Sequence, residues 1–274
     1  MYFDREKYKE FARRQISGRR KNAALAILIV VVITLAISIP ERRLNTSFNE
    51  ILRTARSSEG FLDYLSENKD TISLTFIFSF ITTLINFITR IALTSFFLAY
   101  SRSPEPVSLK VFFEGFNKWG RGILAGLWQT LWCFLWMLGL LFIYILLLIP
   151  CIFIPSSFST GIIDILSNLT IILICILVVI KSLEYSQLFY LVAEFPELGI
   201  RKALRISILI TKGHRADIFA TILTFLGYYI LGAITLGFAQ VWYEPYTGMT
   251  FINIYHALLK DALENGKINP EDLN

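Results

Sequence analysis

Long apolar runs alternate with short charged segments along the 274 residues of the chain. An α-helix rises 1.5 Å per residue, so about 20 apolar residues cross the roughly 30 Å of hydrocarbon in a bilayer. Most of the runs are at least this long or close to it, and we interpret them as transmembrane helices. The predicted spans are residues 23–39, 72–100, 122–149, 169–193, 218–241 and 246–259.

Apolar residues occupy every side of these runs instead of alternating with polar ones. Strands of a membrane barrel alternate with a period of two, whereas a helix satisfies its own backbone hydrogen bonds in lipid. The pattern therefore predicts an all-α fold, a polytopic integral membrane helical bundle of about six transmembrane helices. It comprises a basic N-terminal segment (1–22), a single transmembrane domain (23–260) and a polar C-terminal tail (261–274).

The last predicted span, residues 246–259, is moderately apolar and contains Asn253 and His256. It follows Pro245, where we expect the preceding helix to break. The segment either returns through the membrane, shielded by its neighbours, or lies on the outer surface. We favour the return, which would place both ends of the chain in the cytoplasm.

Charge is scarce and unevenly distributed. Charged residues make up 17% of the chain, against about 25% in soluble domains. Residues 1–22 carry eight basic and three acidic side chains, a net +5, while residues 41–70 have a net charge of −1. Because basic segments stay on the cytoplasmic side, we expect the N-terminus there and residues 41–70 outside. No nucleic-acid-binding motif accompanies the basic residues, so we expect no nucleic-acid partner.

Two basic connections are predicted to contain amphipathic helices. Ser108 is placed to cap a helix within residues 101–121, and residues 196–212 carry apolar and basic side chains on different faces. We expect both helices to lie at the membrane interface and to contact anionic lipid headgroups on the cytoplasmic face. The second connection contains the basic elbow, which we define as Arg201, Lys202, Arg205 and Lys212. The predicted helix breaks are Pro196, Gly213 and Pro245.

Three ionisable residues lie inside the apolar runs: Arg90, Lys181 and Glu184. Lys181 and Glu184 are three residues apart, so they are placed to pair with each other on one helix. Both could instead lie near a membrane face, and Arg90 is long enough to reach the interface. The alternative hypothesis is that all three line a polar cavity for an ion or an anionic solute.

The sequence carries no recognised catalytic motif, P-loop or dinucleotide-binding motif. Its histidines are His214 and His256, and its cysteines are Cys133, Cys151 and Cys175. Their spacings match no metal site or redox pair. We therefore predict no catalytic residue, no metal site and no cofactor.

Several strings resemble one family of bacterial multi-pass membrane proteins, domain-of-unknown-function family nine-seven-five. They are residues 185–196 (YSQLFYLVAEFP), 203–207 (ALRIS), 212–214 (KGH), 231–238 (LGAITLGF) with Trp242 and Pro245–Tyr246, and 115–120 (GFNKWG). The match covers the C-terminal 80 residues or so well, residues 112–149 loosely, and the N-terminal third in layout. The resemblance implies a multi-pass architecture in a bacterial inner membrane, and it implies no reaction.

From these observations we expect a non-catalytic component of the cell envelope that acts through membrane lipids or a membrane protein partner. The alternative is a small transporter or permease-like subunit with Arg90, Lys181 and Glu184 lining its cavity. An intramembrane enzyme is a third class, and no motif supports it.

Overall fold

The structure, a computed structural model, describes residues 3–57, 66–149 and 156–273. Every regular element in these ranges is helical, which confirms the predicted all-α class. The α-helices are α1 Arg5–Ile16, α2 Arg20–Ser57, α3 Lys69–Arg102, α4 Leu109–Gly115, α5 Trp119–Leu148, α6 Ser156–Glu184, α7 Leu188–Glu194, α8 Ile200–Thr211, α9 Arg215–Thr224, α10 Leu226–Ile234 and α11 Gln240–Glu264. Short 3₁₀ turns occupy Phe116–Lys118 and Pro270–Leu273.

Four helical stretches in the described part of the chain are long and apolar enough to cross a membrane. They are Arg20–Ile51, Lys69–Arg102, Leu109–Leu148 and Gly161–Glu194. Helices α9 and α10 give a fifth if this bent pair is one span. These stretches contain most of the first four predicted spans, and α9 and α10 overlap the fifth. Residues 246–259 lie within α11, a helix of 25 residues that is not among these stretches.

The chain forms two compact units, and the single transmembrane domain over 23–260 stays a prediction. Unit 1 comprises Met1–Arg5, Leu124–Leu223 and Tyr255–Asn274, and unit 2 comprises Glu6–Ile123 and Thr224–Ile254. Each unit is therefore assembled from segments that are far apart in sequence.

In unit 2, α3 packs against α2 and α4. Gly115 of α4 lies so close to α3 that a Cβ added there would be 2.8 Å from the Ala92 Cα. Ser108 caps α4 by accepting a hydrogen bond from the Lys110 backbone N–H at 3.2 Å, which confirms the predicted cap. The Arg19 guanidinium donates to the Ser103 carbonyl at 2.6 Å and fixes the chain that leads from α3 to α4.

In unit 1, α8 packs against α6 and α7. Leu188, Leu191 and Val192 of α7 are buried, as are Ala203 and Ile206 of α8. These apolar contacts hold the helices that carry the basic elbow.

The prediction that Pro245 breaks a helix is wrong, because α11 continues through it. Proline removes one backbone hydrogen bond, but the bonds on either side remain, and the adjacent Tyr243, Tyr246 and Thr247 are buried. The interruption comes earlier, between α10 and α11. There Leu236 and Gly237 adopt φ of 52° and 93°, and the Gly237 N–H donates to the Gly232 carbonyl at 2.7 Å.

Pro40, which directly follows the first predicted span (23–39), likewise lies inside a helix. Helix α2 continues to Ser57, and beyond Pro40 its apolar side chains include the buried Ile51 and also Phe48, whose ring meets that of Phe76 edge to face at 5.7 Å.

Candidate functional site

A row of tryptophans on α5 forms one side of an open groove in unit 1. Trp128, Trp132 and Trp136 are four residues apart, and this spacing places them on one face of the helix. The Trp128 and Trp132 rings meet edge to face, with centroids 6.3 Å apart. The groove therefore has an aromatic wall about two helical turns long.

The other side of the groove carries positive charge. Lys181 comes from α6, and Arg201 and Arg205 come from α8, where they are one turn apart. Leu204 and Ile208 of α8 add apolar surface between them. The whole depression, which we call the tryptophan groove, has a volume of about 480 Å³.

Two of these cations stack on the tryptophans. The Lys181 Nζ lies 4.1 Å from the centre of the Trp136 ring, and the Arg201 Cζ lies 4.7 Å from that of Trp128. Such cation–π contacts stabilise by about 0.5–1 kcal/mol each where the site is exposed. They hold both cations against the aromatic wall.

Lys181 is also paired with a buried carboxylate. Its Nζ donates to Glu184 Oε2 at 2.9 Å, and Arg215 Nη1 lies 2.9 Å from Glu184 Oε1. The Ser207 hydroxyl donates to the backbone carbonyl of Glu184 at 2.7 Å. The predicted pairing of Lys181 with Glu184 is confirmed. The Glu184 carboxylate forms ion pairs with both Lys181 and Arg215.

Nothing in the sequence pattern identifies Arg215 as the second partner of Glu184, because the two residues lie on different helices. The turn between α8 and α9 brings them together, and it contains Gly213 with φ of 92°. Arg215 is not fully satisfied: among the residues that the structure describes, its buried Nε finds no hydrogen-bond partner.

Arg90 belongs to α3 in unit 2 and is exposed, whereas Lys181 and Glu184 belong to unit 1. The hypothesis that all three residues line one cavity stays a prediction. Within unit 1, the structure brings Lys181 together with Arg201 and Arg205 along the tryptophan groove instead.

The basic elbow divides into two pairs. Arg201 and Arg205 are exposed and line the tryptophan groove. Lys202 points elsewhere and lies 3.7 Å from the Asp272 carboxylate, and Lys212 follows the end of α8. The other predicted break, Pro196, lies in the non-helical segment between α7 and α8.

A second charged cluster fixes the C-terminal end of unit 1. The buried Asp261 carboxylate accepts from Lys267 Nζ at 3.1 Å and from Asn265 Nδ2 at 2.9 Å, and His214 Nε2 lies 3.6 Å away. Burial alone would raise the pKa of Asp261, but the hydrogen bond and charge of Lys267, with other positive charge nearby, hold the pKa below its usual value. The segment after residue 261, predicted as a polar tail, is therefore attached to the helices.

Within the described ranges, no group of three or more His, Cys, Asp or Glu side chains is arranged to hold a metal ion. Cys151 lies outside the described residues. The absence of a metal site and of catalysis stays a prediction.

The long apolar helices, and a groove that combines tryptophan with arginine and lysine, are typical of an integral membrane protein. The chain belongs to the family described as Protein of unknown function (DUF975), whose model matches residues 1–262. This match extends the resemblance of the C-terminal region to the N-terminal third. No curated protein and no solved structure matches the chain.

Proposed function

We propose that this protein is a non-catalytic component of the bacterial cytoplasmic membrane that acts through contacts with anionic lipids or a membrane protein partner. Its N-terminus is cytoplasmic and the chain crosses the membrane six times. Helices α1, α4 and α8 lie at the cytoplasmic interface. The net charge of +5 on residues 1–22 supports this orientation through the positive-inside rule.

The arrangement of Arg201 and Arg205 carries the proposal. Both side chains are exposed beside an aromatic wall, and among the described residues neither forms a salt bridge. Tryptophan is enriched at membrane interfaces, and each basic residue near an anionic surface contributes about 1 kcal/mol of attraction. Exposed, unneutralised arginines next to tryptophans are thus suited to lipid headgroups that carry negative charge.

The test is to measure by mass spectrometry which lipids co-purify with the protein in a mild detergent. We expect anionic phospholipids to be enriched over their share of the membrane. Changing all four basic-elbow residues to Gln is expected to reduce that enrichment. The control R42Q/R43Q/R53Q/K69Q removes four positive charges from the segment predicted to lie outside. If both variants lose the same amount, or neither loses any, the proposal fails.

Orientation has its own test in intact cells, with single cysteines introduced into a cysteine-free background. A cysteine at Glu50 is expected to react with a membrane-impermeant maleimide, and one at Lys212 to be protected until the cells are opened. Labelling of Lys212→Cys in intact cells would reverse the topology.

A second candidate function, a small transporter, is favoured by the open volume that reaches Lys181. Glu184 is not among the residues that line this volume, since its carboxylate is buried between Lys181 and Arg215. Chloride efflux from proteoliposomes tests an anion pathway. Efflux that exceeds empty liposomes and is lost in Lys181→Met would favour the transporter over the lipid-contacting role.

A further inference from the structure

We infer that the tryptophan groove is a binding site for one anionic phospholipid, with the phosphate between Arg201 and Arg205 and an acyl chain along the tryptophans. The inference rests on the proposed function and deepens it. It assigns lipid recognition to this groove in unit 1 rather than to the positive charge of the basic elbow as a whole.

The phosphate end is defined by the two arginines. They are four residues apart on α8, and both point to the same groove. Each guanidinium presents a planar fork of donors that matches phosphate oxygens in pairs. Lys181 adds positive charge, although it shares that charge with Glu184 at 2.9 Å.

Charge in and behind the groove is unbalanced in favour of an anion. Among the described residues, Lys181 and Arg215 share the carboxylate of Glu184, and no salt bridge neutralises Arg201 or Arg205. The arginine charge lies beside tryptophans at the protein surface, where an effective dielectric constant of about 20, rather than about 80 as in bulk water, strengthens its attraction for an anion. An anionic ligand complements this site, whereas a zwitterionic headgroup brings its own ammonium group next to the arginines.

The apolar end is defined by α5. From Trp128 to Trp136 the wall covers eight residue-to-residue steps, or about 12 Å along the helix. Farther along the same face of α5, at helical spacing from Trp136, Ile143 and Leu146 are exposed. The groove volume of about 480 Å³ lies within the range of about 300–1,000 Å³ that is usual for ligand sites.

This continuity favours a membrane lipid over a soluble phosphate compound. A soluble anion gains no binding energy from an aromatic wall that leads onto an exposed apolar helix face. A phospholipid places its charge at the arginines and its chain on that wall, and it reaches the groove from the bilayer without leaving it.

Tryptophan quenching tests the inference directly. Trp119 and Trp242 are changed to Phe, so that the remaining fluorescence comes from the groove. The full-length protein is reconstituted in phosphatidylcholine vesicles that contain a small fraction of phosphatidylglycerol or phosphatidylcholine with brominated acyl chains. We expect brominated phosphatidylglycerol to quench more strongly than brominated phosphatidylcholine at the same mole fraction.

Two charge-matched variants locate the site. R201Q/R205Q is expected to weaken the apparent affinity for phosphatidylglycerol by at least about tenfold. K202Q/K212Q removes the same charge from the basic elbow but lies outside the groove, and its preference should match that of the parent protein. R201K/R205K keeps the positive charge but lacks the planar guanidinium groups. Its affinity for phosphatidylglycerol should lie between those of R201Q/R205Q and the parent protein.

The outcomes separate this inference from the proposed function. Equal losses in R201Q/R205Q and K202Q/K212Q would overturn the groove site and leave the proposed function intact. No preference for the anionic lipid in the parent protein would overturn both. Relief of quenching by inorganic phosphate at constant ionic strength would identify a soluble-phosphate site and contradict the lipid. If R201Q/R205Q does not fold, the lipid preference of the parent protein and the weaker affinity expected of R201K/R205K still test the groove site.

Discussion

Replacing Glu184 with Gln tests whether the buried carboxylate holds the helices of unit 1 together. The side chain is 7% exposed and forms ion pairs of 2.9 Å with both Lys181 and Arg215. Glutamine has nearly the same shape, and the bond from Ser207 to the backbone carbonyl is unaffected. The substitution therefore removes one negative charge and leaves Lys181 and Arg215 without their anionic partner.

The expected loss of stability follows from the burial of these groups. Breaking a buried ion pair by removing one partner costs about 3–5 kcal/mol. Lys181 is 16% exposed, but Arg215 is 33% exposed, so water screens part of the second pair. We expect a loss of about 3 kcal/mol, which lowers the thermal midpoint by about 6–12 °C for a chain of this size.

The measurement is thermal unfolding in one detergent at one scan rate. Glu264→Gln is the matched control, because Glu264 pairs with Lys260 at 3.7 Å on an exposed helix surface. That pair contributes about 0.5 kcal/mol or less, so the thermal midpoint of Glu264→Gln should differ from that of the parent protein by about 2 °C at most. Adding Lys181→Met to Glu184→Gln should restore part of the loss. If Glu184→Gln shifts the midpoint no more than the control does, the carboxylate does not hold these helices.

Three further changes give distinct results in the same unfolding assay. Gly115→Ala places a Cβ 2.8 Å from the Ala92 Cα and should cost about 1–3 kcal/mol, whereas Gly120→Ala meets no atom within 4 Å and should cost nothing. Ser108→Ala removes a helix cap and should cost about 1 kcal/mol, and an unchanged midpoint would contradict the cap. The lowered pKa of Asp261 adds stability above about pH 4 that is lost as the pH falls through the folded-state pKa. Asp261→Asn should lack this acid-dependent part, and an identical pH profile would refute the assignment.

Local features of this protein follow from the sequence where the interaction is between near neighbours. The cap at Ser108 and the pairing of Lys181 with Glu184 span two and three residues, and periodicity is enough to predict both. The all-helical class follows from the length and composition of the apolar runs.

Features that depend on contacts between distant segments were missed. The tryptophans of α5 share a face by their spacing alone, but nothing in the sequence shows that Arg201 and Arg205 face them. Arg215 reaches Glu184 because the chain turns at Gly213. Pro245 was predicted as a break on propensity, yet buried neighbours keep α11 helical through it.

The cluster around Asp261 bears on where the folding module ends. The family match stops at residue 262, and Lys267 lies beyond that boundary. A chain trimmed at the boundary would keep the buried carboxylate while losing the ammonium group that neutralises it, along with the buried Ile268 and Leu273. Sequence similarity thus delimits the region shared among relatives, whereas the packed unit includes the 3₁₀ turn Pro270–Leu273 beyond it. Truncated forms of the protein and fusion junctions should therefore retain the residues through Leu273.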